Sequence, residues 1–576
     1  MKMSQNTPHT NASHPDDAPC ASLPDVSNAD ISDATVSDTD VSNITKSASL
    51  RSDTAVAMPP LRVLVYGLGR SGMAACQLLC QQGHEVIAFD AALSAENQAQ
   101  LQAWGCQLSP PLQTAAEVAA FVSAQQVAKQ PLQLCIAAPG IAWQHPALQA
   151  LRQAGIETIG EVEWVYRSVA ADIIGITGTA GKTSVTRWLS DCLCAAGLDA
   201  PAGGNINPAL AAVARPGATL VAELSSFQLE RCPRLKPRIA IVLNLGRDHI
   251  DRHGSLEAYH AAKYQLIANL DANSVFIYNH DDLTLRQWAA QSPARCLAYS
   301  LAAPDSGLEP VCQAYWHKAP AADDASLWLY LHGQALLSAD SLQVRGNHAR
   351  SNALAVALAA DAMGLSHQQL RQGLQAFCGV AGRLESVGCM AAVDFIEDSI
   401  ATRSLAVKAA LEASTAPIVW LAGGQDKGAE FAELELLIRQ KVSLFIGVGA
   451  AGSAFAAQCQ AWTATQVIAE PDGEKALQQA CCDAFAHLQS LAPPGQEAAG
   501  TVLLAPLAAS FDQFQDYQAR AKAFRNAVQH LQQGVWQAPQ NSANPDAGSD
   551  MGSDIGSNSD GNPDIGSDLA RGADRG

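Results

Sequence analysis

The run Gly178-Thr179-Ala180-Gly181-Lys182-Thr183-Ser184 combines small residues, one cation and two hydroxyls in the order that cradles a polyphosphate. Backbone N–H groups of such a loop meet phosphate oxygens, Lys182 neutralises the β and γ phosphates, and the Thr183 hydroxyl is a ligand for Mg²⁺. The strict Walker spacing would need glycine at position 176, which is Ile176, so the loop is a shortened variant. ATP is the expected ligand; a structural loop with a solvated lysine is the alternative. A second run, Gly67-Leu68-Gly69-Arg70-Ser71-Gly72, matches G-x-G-x-x-G, with Asp90 at the end of the next apolar stretch. Its glycines let the backbone approach a pyrophosphate, and Asp90 is placed for a ribose hydroxyl. A tight turn that merely needs small residues is the alternative there. Glu223-Leu224-Ser225-Ser226-Phe227-Gln228 offers hard oxygen ligands, with Glu223 as a Mg²⁺ candidate or a helix-start charge and Ser225 as a cap. Asp248-His249-Ile250-Asp251-Arg252-His253 packs titratable groups into six residues, the density expected of a reaction centre or of a charged loop.

Each run follows a short apolar stretch. Leu61–Tyr66, His84–Asp90, Leu132–Ala138, Asp172–Thr177, Thr219–Glu223, Arg238–Asn244, Pro417–Leu421, Leu444–Val448 and Thr501–Ala505 read as strands, with helical patterns between them. That alternation predicts an α/β fold with parallel sheets, whose ligands lie at the carboxyl ends of strands. Strand clusters and motif spacing predict a first domain over 61–158, a central phosphate-loop domain over 159–379 and a third over 380–537. The Pro-, Ala- and Asp-rich segment Ala302–Ser326 reads as an inserted loop or the approach to a hairpin.

The 576 residues suit about three or four domains. A formal charge of -19 disfavours nucleic acid, whose phosphates want cations. Segments 1–60 and 538–576 are acidic, polar and poor in large apolar side chains, so both are expected to be disordered. There is no apolar leader at the N-terminus and no stretch long enough to span a bilayer, and the 15 cysteines show no C-x-x-C pair. A monomer with reduced thiols in the cytoplasm is expected.

The phosphate loop, then Gly203-Gly204-Asn205-Ile206, the E-L-S-S-F-Q segment, D-H-I-D-R-H and Ala261-Ala262-Lys263 together resemble the Mur ligases of peptidoglycan synthesis. The G-L-G-R-S-G opening, Ala138-Pro139-Gly140-Ile141, the Phe after the Ser pair and Asp512-Gln513-Phe514 are similar to the branch that adds D-glutamate to UDP-N-acetylmuramoyl-L-alanine. The resemblance covers about residues 61 to 535. It implies a three-domain architecture with Rossmann-like first and third domains, and an ATP-dependent, ADP-forming amide ligase working in cell wall biogenesis, cell shape and cell division. It further implies one Mg²⁺ held by Thr183 and Glu223, a second by His249, and a carbamylated Lys263 as an anionic bridging ligand. Asn352, Arg383 and Asp398 match ATP-holding positions. Gly69, Arg70, Ser71, Asp90, Asn205, Ser225 and Gln228 match the UDP-sugar peptide site, and Thr402, Lys427, Ser510 and Tyr517 the glutamate site. Lys182, Glu223, His249, Lys263 and Arg383 would carry catalysis.

Some positions depart from the family pattern. Ile400 stands where a lysine usually holds the glutamate carboxylate, and Arg403 is near enough in sequence to replace that charge. Tyr517 replaces a common Phe, Gly382 a usual His and Ala349 a usual Asn. A branch joining L-glutamate also lacks that lysine and is the close alternative. A phosphate-loop switch or non-catalytic nucleotide-binding protein, a folylpolyglutamate-like ligase and a pseudoenzyme are the others.

Overall fold

The computed structural model describes residues 59–126, 131–301, 312–318, 326–344, 346–380, 382–493 and 498–534. The two tails expected to be disordered lie outside the described residues, apart from Pro59 and Pro60. Three sheets follow one another along the chain. The first holds β1 (Arg62–Tyr66), β2 (Glu85–Phe89), β3 (Gln107–Leu108), β4 (Leu134–Ala137) and β5 (Glu157–Ile159), all parallel, in the order β3-β2-β1-β4-β5. The apolar run that predicted β1 is buried from Val63 onward, and the glycine-rich turn after it opens the helix Arg70–Gln81. The boundary expected at 158 falls within β5, whose pairing to β4 keeps Ile159 in the first sheet.

The second sheet comprises β6 (Asp172–Thr177), β7 (Ala202–Gly204), β8 (Thr219–Glu223), β9 (Ile239–Val242), β10 (Val275–Asn279), β11 (Arg295–Ser300), β12 (Ala314–Lys318), β13 (Leu327–Leu331) and β14 (Gln334–Ser338). Its order is β14-β13-β12-β11-β10-β9-β6-β8-β7, with β13 running antiparallel to β12 and β14. Of the two readings of Ala302–Ser326, the described part fits the approach to a hairpin and not a plain loop, because Ala314–Lys318 is a strand that pairs antiparallel with β13, pairs also with β11, and buries Trp316. The Pro, Ala and Asp residues around it dilute a strand signal only five residues long. The helix Asn347–Ala362 lies within this core, with every residue from Ala353 to Ala360 fully buried. A helix apolar on all sides has no solvent face, and alanines let its neighbours approach closely.

The third sheet comprises β15 (Glu385–Met390), β16 (Val393–Glu397), β17 (Ile418–Gly423), β18 (Val442–Val448), β19 (Ala464–Val467) and β20 (Gly500–Leu504). Its order is β15-β16-β20-β17-β18-β19, parallel except for the β15–β16 hairpin.

Two arginines of the central domain join it to the first. Arg231, 0% exposed, donates to the carbonyls of Ala137, Ala138 and Ile141, and Arg252 donates to those of Pro139, Gly140 and Ile141 while lying over the Phe227 ring. The Ala138-Pro139-Gly140-Ile141 segment therefore acts as an acceptor strip for guanidinium groups. Replacing Arg231 with Met takes a donor from three carbonyls, of which that of Ile141 keeps Arg252 and that of Ala138 keeps the Ile141 N–H, so the buried Ala137 carbonyl loses most and the cost is about 2 kcal/mol. The expected result is a fall of roughly 4–8 °C in the thermal midpoint, read by calorimetry. An unchanged midpoint would show that the arginine does not brace this junction.

Candidate active site

β6 lies between β8 and β9 and is buried along its whole length, so the loop that follows it emerges at the middle of the sheet's carboxyl edge. Asn244, just past β9, fixes that loop. Its side-chain oxygen accepts the Ala180 N–H at 2.9 Å, its amide donates to the Ala180 carbonyl, and its own carbonyl takes the Thr179 N–H. The Thr179 hydroxyl in turn accepts the Gly246 N–H. Gly181 has φ +84°, and a Cβ there would come within 2.7 Å of Asn352 Oδ1, so the buried helix carries Asn352 directly against the loop. Lys182 Nζ donates to the carbonyls of Gly178 and Thr179 at 2.9 and 3.1 Å.

A second lysine reaches the same place. Lys263, 1% exposed, donates from Nζ to the Gly178 carbonyl at 2.8 Å and lies over the Tyr259 ring. Burial first, and the nearby Lys182 charge second, push its amine down to about 6, against the pull of Asp248. Lys182 is also lowered, chiefly by burial, with Arg383 adding to the effect and Glu223 and Asp248 opposing it. The site thus favours the neutral form of the Lys263 amine.

Glu223 ends β8 beside this pair, in register with Ile176 of β6. Asn205 donates to its Oε1 at 2.8 Å, while Oε2 is buried and has no hydrogen-bond partner among the described residues. Gly204 permits this packing, since a Cβ at its φ of +110° would lie 2.3 Å from the Glu223 carbonyl. The helix Lys182–Ala195 places Thr183, half-buried, in its first turn. His249, at φ 53°, packs against Phe227 and has its Nε2 3.3 Å from the Asp248 carboxylate, a contact that is an ion pair when the ring is protonated. Its imidazole is lowered by burial, with Asp248 opposing and the Arg403 charge assisting. Among the described residues, no three of His, Cys, Asp and Glu are grouped to hold a metal unaided. An unpartnered buried carboxylate oxygen close to the phosphate-loop lysine nevertheless fits Mg²⁺, which keeps waters and phosphate oxygens as its remaining ligands.

The third domain closes the far side. Ser184, His348, Ala349 and Asn352 from the centre and Arg383 from the linker line one cavity of about 410 Å³. Arg383 Nε is buried without a partner among the described residues, and Asp398 is buried beneath it. Burial pushes the Asp398 carboxyl up to about 7, with Arg383 opposing. Arg403 spans the cleft to Asp248 at 3.4 Å, while the Ile400 side chain lies beside Gly382. Of the expected glutamate residues, Ser510 is buried, Thr402 half-buried, and Lys427 and Tyr517 exposed, with Lys427 Nζ 5.5 Å from the Phe511 ring centre. Sequence reasoning missed Arg520, whose buried guanidinium donates to the carbonyls of Ser399 and Ala508 and so ties the Thr402 loop to the Ser510 loop. An arginine inside a helix gives no sign in sequence of where it points.

In the first domain, Gly69 and Arg70 are exposed at the turn. Asp90 accepts the N–H of Leu68 and of Ala92, so its carboxylate shapes the glycine-rich turn while also lining a cavity of about 200 Å³ with Leu108, Ser109 and Gln113. Ser71 donates to Glu161, whose carboxyl burial pushes up to about 7. Ser225 and Gln228 are engaged with each other in a capping box at the helix that follows β8, and Asn205 is held by Glu223.

Residues 61–160 match the Mur ligase MurD-like N-terminal domain, and residues 176–360 the Mur ligase middle domain. A UDP-N-acetylmuramoylalanine--D-glutamate ligase of Thermus thermophilus is 38% identical over 82% of this chain and 98% of its own length. The chain belongs to the Mur ligase family. Relatives with the same name in Deinococcus radiodurans and in a Synechococcus strain are 38% and 36% identical, covering 92% and 99% of their own chains and 82% of this one. A MurF structure from Acinetobacter baumannii shares the fold, with a TM-score of 0.50 and 16% identity over 81% of this chain and 93% of its own.

Within this Mur ligase, Gly181→Ala would strain a left-handed backbone position and drive a methyl group into Asn352. ATP affinity by titration calorimetry is expected to fall about tenfold, equivalent to ~1.4 kcal/mol, with the circular dichroism unchanged. Unaltered affinity would remove Asn352 and the Gly181 turn from the nucleotide site.

Proposed function

We propose that this chain joins D-glutamate to UDP-N-acetylmuramoyl-L-alanine, using ATP and releasing ADP and phosphate, in the cytoplasmic stage of peptidoglycan precursor synthesis. The observation that carries this reading is the convergence of Lys182 and Lys263 on the Gly178 carbonyl beside the unpartnered Glu223 oxygen. The names of relatives matched across nearly their whole length support the same assignment.

Lys182 and the phosphate-loop N–H groups hold the γ-phosphate while Arg383 approaches it from the third domain. The alanine carboxylate attacks the γ-phosphorus, ADP leaves with the electron pair, and an acyl phosphate remains. Glutamate's amine then attacks the acyl carbon; phosphate leaves with the electron pair of the C–O bond and the nitrogen gives up a proton. Positioning and charge neutralisation supply the rate, and no side chain of the protein becomes acylated. Asn205, Ser225 and Gln228 would face the sugar peptide, and Thr402, Lys427, Ser510 and Tyr517 the glutamate, with Arg403 supplying the cation that Ile400 does not. Gly69, Arg70, Ser71 and Asp90 would meet the uridine nucleotide. Thr183 and Glu223 would hold one Mg²⁺ and His249 with Lys263 a second, and these ions, when bound, would offset phosphate charge.

The chemistry of Lys263 completes that donor set. A buried neutral amine attacks CO2, forming a N–C bond and releasing one proton, and the resulting carbamate would add anionic oxygens to the Asp248 carboxylate already on the His249 side of the site. Labelling with ¹³CO2 should give a carbamate carbon resonance that Lys263→Ala abolishes, together with a loss of at least about 100-fold in kcat, equivalent to ~2.7 kcal/mol. A resonance that persists in the variant would assign the carbamate elsewhere.

The deciding experiment supplies ATP, Mg²⁺, UDP-N-acetylmuramoyl-L-alanine and either D- or L-glutamate, and follows phosphate release and product mass. Product with D-glutamate alone is expected. Product with L-glutamate alone would overturn the assigned acceptor, and no product with either would overturn the ligase reading.

A further inference from the structure

Three cysteines of the first domain stand together on a part of the fold that the proposed reaction does not use. Cys76 and Cys80 lie one turn apart on the helix Arg70–Gln81, and Cys106 immediately precedes β3. The sulfurs of Cys80 and Cys106 are 3.5 Å apart, and the Cys76 thiol also hydrogen-bonds to Cys106. Cys76 and Cys106 are buried, whereas Cys80 is half-buried. A small oxidant therefore reaches the Cys80–Cys106 pair past Cys80, and Cys76 stays enclosed behind it.

We propose that Cys80 and Cys106 form a peroxide-responsive pair that closes to a disulfide and, in doing so, weakens the nucleotide cavity of the first domain. A thiolate of the pair attacks one peroxide oxygen, giving a sulfenic acid and hydroxide; the second thiolate attacks that sulfur and displaces a second hydroxide. Two thiols lose two electrons and two protons in all, and hydrogen peroxide is reduced to two waters. Hydrogen bonds from Cys76 and then Cys80 pull the Cys106 thiol down, against the upward push of burial, whereas burial and the Cys106 hydrogen bond push Cys80 up to about 12, so Cys106 is the attacking thiolate and Cys80 gives up its proton as it closes the bond.

The coupling to the cavity follows from where the strain must go. A disulfide holds its sulfurs about 2.05 Å apart, so the pair must close by roughly 1.5 Å. The helix side is braced by core packing of Ala75, Leu78 and Leu79, whereas β3 is held to β2 through only two register pairs. Movement is therefore taken up by β3, whose Leu108, followed by Ser109, lines the cavity beside Asp90.

The test treats the full-length protein with hydrogen peroxide and reads free thiols and disulfide-linked peptides by mass spectrometry. The expected result is loss of two thiols with Cys80 linked to Cys106, absent from Cys80→Ser and reversed by dithiothreitol. Linkage between other cysteines, or over-oxidation of Cys106 without a link, would overturn the pair. UDP binding by calorimetry should weaken about threefold or more on oxidation, and a linked protein with unchanged UDP affinity would overturn the coupling. The assignment of the cavity to UDP rests on the proposed function, whereas the cross-link does not, so the two failures are distinguishable.

Discussion

One carbonyl oxygen, that of Gly178, organises the reaction centre. Two lysine side chains from different helices donate to it, 2.8 and 2.9 Å away, in a place that water barely reaches. Burial disfavours both charges there, and each cation disfavours its neighbour's. Lys263 is lowered to about 6, first by burial and then by the Lys182 charge, with only Asp248 opposing. Lys182 is lowered too, but Glu223 and Asp248 both oppose the effect, which suits it to the proposed role of holding phosphate. The different fates of two identical side chains thus follow from burial and neighbours alone.

The three glycine-rich turns are braced by groups of different charge. In the first domain, the Asp90 carboxylate takes the Leu68 N–H, and in the third, the Asp512 carboxylate takes the Ala450 N–H inside Gly447-Val448-Gly449-Ala450-Ala451-Gly452. Gly449 is needed there because a Cβ would lie 2.5 Å from Asp512 Oδ2. In the central loop, the corresponding brace is Asn244, a neutral amide. An internal anion at a turn cancels part of its positive field, so the uncharged brace leaves the central loop as the turn with most attraction left for a polyanion.

Much of this was legible from sequence because the motifs are local. The strands named from apolar runs are all present, with ends shifted by at most two residues, and the phosphate loop sits between β6 and its helix as its glycine spacing requires. Asn244 was visible only as the polar end of a strand, and its three hydrogen bonds depend on a loop more than sixty residues earlier. Arg231, Arg252 and Arg520 were illegible for the same reason, since what each does is set by carbonyls that only the folded chain brings near. Sequence marks Ser225 and Gln228 equally well as substrate contacts and as a capping box; the fold makes the capping box, and a residue in that bond can still face a ligand.

Asp248 has two suitors, His249 from its own domain and Arg403 from across the cleft. Because the arginine is attached to the third domain, its distance from the carboxylate changes whenever that domain tilts. Withdrawal would leave Asp248 to the imidazole alone, making His249 easier to protonate; approach would make it harder. The field at a single ring is thus set jointly by two domains, through one carboxylate that both of them approach.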